Sequence, residues 1–408
     1  MTTGVVAEPD SPVGGGWIAR ISLAVLGFWV VVLAPVQVLL PVQVERIDPA
    51  HKESSLALVT AAAAIVSVLA APVAGAFSDR TRARLGRRQP WILGGALVCA
   101  VVLCVQAMQG SVLGVALCWM IAQGAQNAMF AGLTASVPDQ VPVRQRGVVS
   151  GFVGLTGPLG LVLGVLLVTQ VVPGQTAGYV TLAALLLVLT LPFLTTTDTR
   201  ITEREPLRWR RFFAGFWISP RKYPDFAWAA VSRLAIQLAN AIATLYLLYF
   251  LRDAVHLAEP ADGVFVLTIV YTVGILITSV LSGRLSDRSG RRKPFVVTSS
   301  VVIAVAMLIL AIWPSWPAAM AAAAVLGLGF GVYAAIDAAL ITQVLPKATD
   351  RGKDLGVLNV ANTASQALAP LIAGGLISLL HSYTVLYIVA AVIALAGAAL
   401  VLPIRSVR

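Results

Sequence analysis

The feature that most limits what this chain can fold into is its run of apolar blocks. They are roughly Trp17–Pro41, Leu56–Phe77, Trp91–Met108, Val112–Val137, Val148–Val172, Gly178–Leu194, Phe226–Leu251, Val264–Ser282, Phe295–Trp313, Ala318–Leu345, Leu358–Leu380 and Val385–Leu402. As an α-helix rising ~1.5 Å per residue, a block of about twenty residues covers the ~30 Å hydrocarbon core of a bilayer. A spanning segment must also satisfy its own backbone N–H and C=O groups, which a helix does. Only 12% of the residues are charged, about half the share of an ordinary soluble domain. The expected fold class is therefore an all-α membrane protein with twelve transmembrane helices. Residues 1–16 hold Glu8 and Asp10 but no Lys or Arg, unlike the basic start of a secretory signal, so no cleavable leader is expected.

The chain has 29 Lys and Arg against 18 Asp and Glu, a net charge of +11. An excess of this size could mark a nucleic-acid partner, but its distribution argues otherwise. If the turns are placed alternately on two sides with the N-terminus inside, 25 of the 29 basic residues fall inside. Arg46, Lys52 and Arg252 fall outside, and Arg233 lies within a block. This is the positive-inside pattern. It predicts a multi-pass protein of the cytoplasmic membrane with both termini cytoplasmic and no nucleic-acid partner.

The densest charge sits in GAFSDRTRARLGRRQPW, residues 75–91. Gly75–Arg80 recurs as Gly283–Arg288 at an offset of 208, and Gly86–Trp91 recurs as Gly290–Phe295 at 204. Pro138 and Pro346 are again 208 apart, and each is followed by an Arg-Gly pair. A six-span unit has been duplicated in the same orientation, which predicts two pseudo-symmetric six-helix bundles. The expected division is residues 1–194, a polar cytoplasmic linker at 195–222, and residues 223–408.

Twelve spans in a six-plus-six repeat, with G-x-x-x-D-R…G-R-R after the second and eighth, resemble the major facilitator superfamily over essentially the whole chain. The extended D-R-x-R-x-R loop is similar to that of sugar–cation symporters of the glycoside–pentoside–hexuronide and sucrose–proton groups. The second span has no acid where melibiose-type carriers place a cation-coupling carboxylate. GLTGPLG at 154–160 loosely resembles the G-P motif of drug–proton antiporters. The resemblance implies secondary transport by alternating access. It also implies a gating motif: Gly75, Asp79, Arg80, Gly86, Arg87 and Arg88 in the first copy, and Gly283, Asp287, Arg288, Gly290, Arg291 and Arg292 in the second. Asp79 and Asp287 would lie against the N-terminal ends of helices eleven and five, where free N–H groups and the helix dipole favour an anion. The bland alternative is that these charges only set topology.

Charges inside hydrocarbon are costly and are functional candidates by default. The clear span interiors hold one acid, Asp337, and one base, Arg233. Both lie ~10–12 Å from the inner ends of spans ten and seven. The family implies that helices one, four, seven and ten line a central cavity. A buried Arg233–Asp337 pair is the simplest expectation, either as a static brace or as a proton-coupling site. Met129 occupies the position of Asp337 in the first repeat. Arg233, Gln237 and Asn240 share a helical face, Tyr333 stands one turn from Asp337, and Gln123 and Asn127 share a face of span four. Such groups suit a small polar solute, a sugar or glycoside among them. Interhelical hydrogen bonding is the alternative. Trp29, Tyr246 and Tyr249 are candidates for stacking on a substrate or anchoring at the interface.

Enzyme chemistry has no support. His51, His256 and His381 fall on separate outer loops, the three cysteines lie inside apolar blocks, and no Cys/His cluster or nucleotide loop occurs. No cofactor and no metal are expected. The expected partners are a small-molecule substrate, protons and the bilayer, with the chain a monomer. Two other readings stay open: a proton-driven drug or metabolite efflux antiporter, and a non-transporting receptor on a carrier fold.

Overall fold

The computed structural model describes residues 11–198, 221, 223–289, 291–344 and 351–404, except the side chains of 287, 338–344 and 351–363. The chain is helical. The long helices are α1 (Gly15–Ile47), α2 (Pro49–Ser78), α3 (Gln89–Ala107), α4 (Val112–Gln140), α5 (Val143–Val171) and α6 (Gln175–Leu194). They continue as α7 (Pro224–Leu245), α8 (Pro260–Ser289), α9 (Lys293–Ile312), α10 (Trp316–Val344), α11 (Arg351–Leu380) and α12 (Tyr383–Val401), with a short helix Leu247–Asp253 following α7. Among the described residues, eleven helices are long and apolar enough to cross a membrane, and Ala364–Leu380 of α11 is a shorter apolar stretch.

Several helices outrun their apolar blocks. α4 passes through Pro138 to Gln140. α8 continues to Ser289, so Gly283–Ser289 is helical, whereas the first copy leaves the helix after Ser78. The difference follows from the sequence. The first copy carries a four-residue insert, and a closed turn between Ala83 and Gly86 occupies it.

The chain divides into two compact units. Unit 1 is Met1–Pro35 with Ile65–Leu207, and unit 2 is Val36–Ala64 with Arg208–Arg408. The hairpin tip 36–64 thus packs with the second unit. α1 changes unit at its π-helical turn, Pro35–Leu39. Proline has no N–H to give the preceding turn, which loosens the helical ladder there, and π-turns are frequent at functional positions.

Lipid tails are as apolar as leucine, so membrane helices associate by close packing at small residues rather than by hydrophobic burial. In unit 1, α1 packs on α5 and α6, and α3 packs on α4 and α6. Gly160 of α5 lies against Trp29, where an added Cβ would come within 2.6 Å of the Trp29 Cβ, and Gly164 lies against Ala34. In unit 2, α10 packs on α8 and α9. Gly327 and Gly331 of α10 press on Tyr271 and Ile275 of α8, and Gly329 faces Ser299 and Ile303 of α9. This seam holds Asp337 and Tyr333 in place beside α7.

Candidate functional sites

In unit 2, Arg233 of α7 and Asp337 of α10 meet, with Arg233 Nη1 2.7 Å from Asp337 Oδ2. Tyr333 donates its hydroxyl proton to the other carboxylate oxygen at 3.0 Å. The side chains of Arg233 and Asp337 are 17% and 13% exposed, so the pair is largely withdrawn from solvent without being sealed. Arg233 Nε is buried and has no hydrogen-bond partner. Two turns further along α7, Asn240 accepts a hydrogen bond from the Tyr271 hydroxyl of α8 at 3.1 Å. Phe330 joins the two sets, its ring centroid 6.2 Å from that of Tyr271 and 5.8 Å from that of Tyr333. Gln237 lies between them on the α7 face and is half-buried. The cluster is a charged pair, two phenols and two amides on one wall of α7, α8 and α10.

In unit 1 the equivalent position, Met129, is fully buried against Gly95 and carries no charge. Asn127 donates to Ser67 Oγ at 2.5 Å and to the Gln123 backbone carbonyl at 2.8 Å. The Asn127 amide thus links α4 to α2.

The GRR turn of unit 1 forms a second cluster. Arg88 is buried and bridges Asp79 (Nη2–Oδ1 2.6 Å), Asp139 (Nε–Oδ2 2.8 Å) and Ser78 (Nη1–Oγ 2.9 Å). Arg87 pairs with Asp139 as well. Burial opposes the Arg88 charge, but Asp139 and Asp79 outweigh it and raise its pKa above the usual arginine value. Asp198 Oδ2 accepts from the backbone N–H groups of Arg88 (2.6 Å) and Gln89 (3.0 Å), which puts a carboxylate at the N-terminus of α3, where N–H groups lack partners. Gly86 turns the chain with φ +106° beside Asp198. Arg80 donates to the Ala76 carbonyl, closing the end of α2 near Gly75.

Asp79 therefore contacts Arg88 of its own unit. The side chains at the start of α11, its expected partner, lie outside the described residues. In the second copy, Gly290 and the Asp287 side chain also lie outside them. Gly283 is within α8, Arg288 and Arg291 are exposed, and Arg292 is half-buried.

The Major Facilitator Superfamily profile matches residues 21–263 and 229–408. The chain belongs to this superfamily. The crystal structure of the nucleoside transporter NupG, in a point-mutant form, superposes with a TM-score of 0.73 at 13% identity, covering 93% of this chain and 98% of that one. A bacterial homologue of the human lysosomal transporter Spinster, crystallised inward-facing and unoccupied, gives 0.71 at 12% identity, covering 95% of each. The uncharacterised MFS-type transporter YfiU of Bacillus subtilis (strain 168) is 30% identical over 131 residues, or 32% of this chain. The matching stretch spans only 25% of YfiU. This facilitator is thus a multi-pass member of a transporter superfamily, with helices long and apolar enough to cross a lipid bilayer. Among the described residues no group of three or more His, Cys, Asp or Glu could hold a metal ion.

The facilitator has a third cluster that sequence reasoning missed, at the hairpin tip of unit 2. Lys52 Nζ lies 2.8 Å from Asp253 and 3.1 Å from Glu45, Arg252 pairs with Glu45, and Tyr383 donates to Asp253 at 2.7 Å. Tyr249 and Tyr246 are buried. They donate to the Pro41 and Glu53 carbonyls at 2.8 and 3.0 Å, so they are neither interface anchors nor free stacking platforms. At the apex, the Ser55 hydroxyl donates to Asp48 and lowers that carboxyl's pKa below its ordinary value. A signal for this cluster was present. Lys52 and Arg252 are exceptions to the one-sided charge distribution, and each found an acid.

Proposed function

We propose that this facilitator is a secondary active transporter that moves a small polar solute across the cytoplasmic membrane by alternating access of two six-helix halves, coupled to protons through Asp337. The observation that carries the reading is the Arg233–Asp337–Tyr333 cluster. It holds an ionisable acid within the apolar stretch of the described helices, 13% exposed, where a change in hydration shifts the balance between its charged and neutral forms. When the acid is ionised, Arg233 and Tyr333 hold it. When it takes a proton, the Arg233 guanidinium loses its counter-charge and becomes available to the solute. Asn240, Tyr271 and Gln237 offer hydroxyl and amide partners along the same wall, which suits a hydroxylated solute. Sugars and glycosides fit that chemistry. Nucleosides do too, and NupG, which shares the fold, is a nucleoside transporter.

The test is uptake into proteoliposomes with an imposed pH gradient, screened over sugars, glycosides, nucleosides and cationic dyes. Asp337→Asn should abolish accumulation against a gradient while leaving solute exchange at equal concentrations. Accumulation by Asp337→Asn would exclude the proton role. Proton-driven export of the dyes would instead establish the efflux reading. The static-brace reading is favoured by the short contact itself, since a neighbouring guanidinium opposes protonation. It requires that a charge-free pair, Arg233→Met with Asp337→Leu, still accumulates solute.

A further inference from the structure

The two copies of the GRR turn differ in sequence at the acid that neutralises the first. In unit 1, Arg87 and Arg88 are matched by Asp139, with Asp79 as a further partner. The repeat offset of 208 that pairs Pro138 with Pro346 places Lys347 at the position of Asp139. The second copy thus keeps the arginines and has a base where the first has its neutralising acid. Among the described residues no carboxylate pairs with Arg284, Arg288 or Arg291, and all three are exposed.

On the same stretch of chain, α8, α9 and α10 form an open groove of about 370 Å³, lined by Thr278, Leu281, Ser282 and Leu285 of α8, Phe295 of α9 and Val332 of α10 among others. Its surface is apolar, and two of its hydroxyls are already used. Thr278 donates to the Gly274 and Leu328 carbonyls, and Ser282 donates to the Thr278 carbonyl. Leu281 and Leu285 are 59% and 50% exposed. Arg288 stands on the same helical face as these leucines, at i+7 and i+3. From Arg288 to Thr278 the helix rises ~15 Å, half of the ~30 Å hydrocarbon thickness. The face therefore has a cationic end at headgroup depth and an apolar trough reaching to the bilayer midplane.

We propose that this groove is a binding site for an anionic phospholipid, with its phosphate against Arg288 and Arg291 and one acyl chain in the Leu281–Leu285–Phe295–Val332 trough. Charge decides the occupant. A zwitterionic lipid fills the trough equally well but brings the arginine pair no net charge, whereas an anionic headgroup supplies the kind of charge that Asp139 supplies in unit 1.

The experiment is native mass spectrometry of the purified full chain titrated with phosphatidylglycerol or phosphatidylcholine of matched acyl chains. The wild type should retain phosphatidylglycerol in preference. Arg288→Gln with Arg291→Gln should weaken that retention about thirtyfold, the effect of two headgroup charges, and leave phosphatidylcholine unaffected. Leu285→Trp, which fills the trough and keeps both arginines, should weaken both lipids. Far-ultraviolet circular dichroism confirms that each variant is folded. Equal retention of the two lipids by the wild type would overturn the proposal, as would unchanged retention in the arginine double variant. If Leu285→Trp keeps full phosphatidylglycerol binding and inorganic phosphate competes it away, the site reads a free anion and not a lipid, which also overturns it.

Discussion

Gly86 has two reasons to be glycine. Its φ of +106° lies where a side chain is strained, and a Cβ there would collide with the Asp198 carboxylate that caps α3. Gly86→Ala should lower stability by ~1–3 kcal/mol, the cost of one strained backbone position, and thermal unfolding in detergent would show it. Arg88 poses a different case. Its guanidinium spans Asp79, Asp139 and Ser78 at once, a forked geometry that a point-charged ammonium cannot reproduce. Arg88→Ala leaves Asp139 to Arg87 alone and takes the partner from the half-exposed Asp79, and should cost ~1–3 kcal/mol, the range for buried groups left short of a partner. Arg88→Lys should recover only part of that loss. If lysine restores the full melting temperature, Arg88 supplies charge alone.

Helix positions were legible in the sequence, because apolar blocks of bilayer length report where lipid must be met. Helix ends were less so. α8 runs through Gly283–Ser289 because a charged, solvated turn loses nothing by staying helical, and no apolar signal marks its length. The Arg233–Asp337 contact was readable from matched depth, since two opposite charges in hydrocarbon have few other places to go. Asp139 and Asp198 were not readable. Each acts on a residue 51 or more positions away in the chain, and only the packed α3–α4 and α3–α6 contacts bring them together. The seam between α8 and α10 shows the same dependence on packing. Gly327 and Gly331 let the two backbones touch, so Gly331→Leu should force the helices apart, displace Tyr333 and Asp337 from Arg233, and abolish uptake while Gly331→Ala is tolerated better. Comparing the two variants by uptake and by thermal melting separates lost alignment from lost folding.

At the scale of the whole chain, the hairpin tip is the segment with most to reveal. Residues 36–64 belong to unit 2 although the rest of α1 and α2 belong to unit 1, and α1 makes the change at a π-turn. The tip is held by Lys52 between Glu45 and Asp253, by Arg252 on Glu45, and by Tyr249 and Tyr246 on backbone carbonyls. The ion pairs are partly buried, so removing one partner leaves the other poorly solvated. Under the proposed alternating access, a tip that belongs to one unit while its stems belong to the other must either release that hold in each cycle or bend at Pro35–Leu39. A reversible clamp separates these. Glu45→Cys with Arg252→Cys, joined by a short bis-thiosulfonate reagent, fixes the tip where it is. The three native cysteines lie within α3 and α4 and are replaced by serine in the background. If the hold is released in each cycle, uptake should fall close to zero on cross-linking and return with dithiothreitol. In the uncross-linked chain, Lys52→Ala should weaken the hold and change the rate of uptake without changing the concentration of solute that half-saturates it. Full uptake by the clamped protein would mean that the tip moves with unit 2 throughout and that α1 bends at its π-turn to allow it.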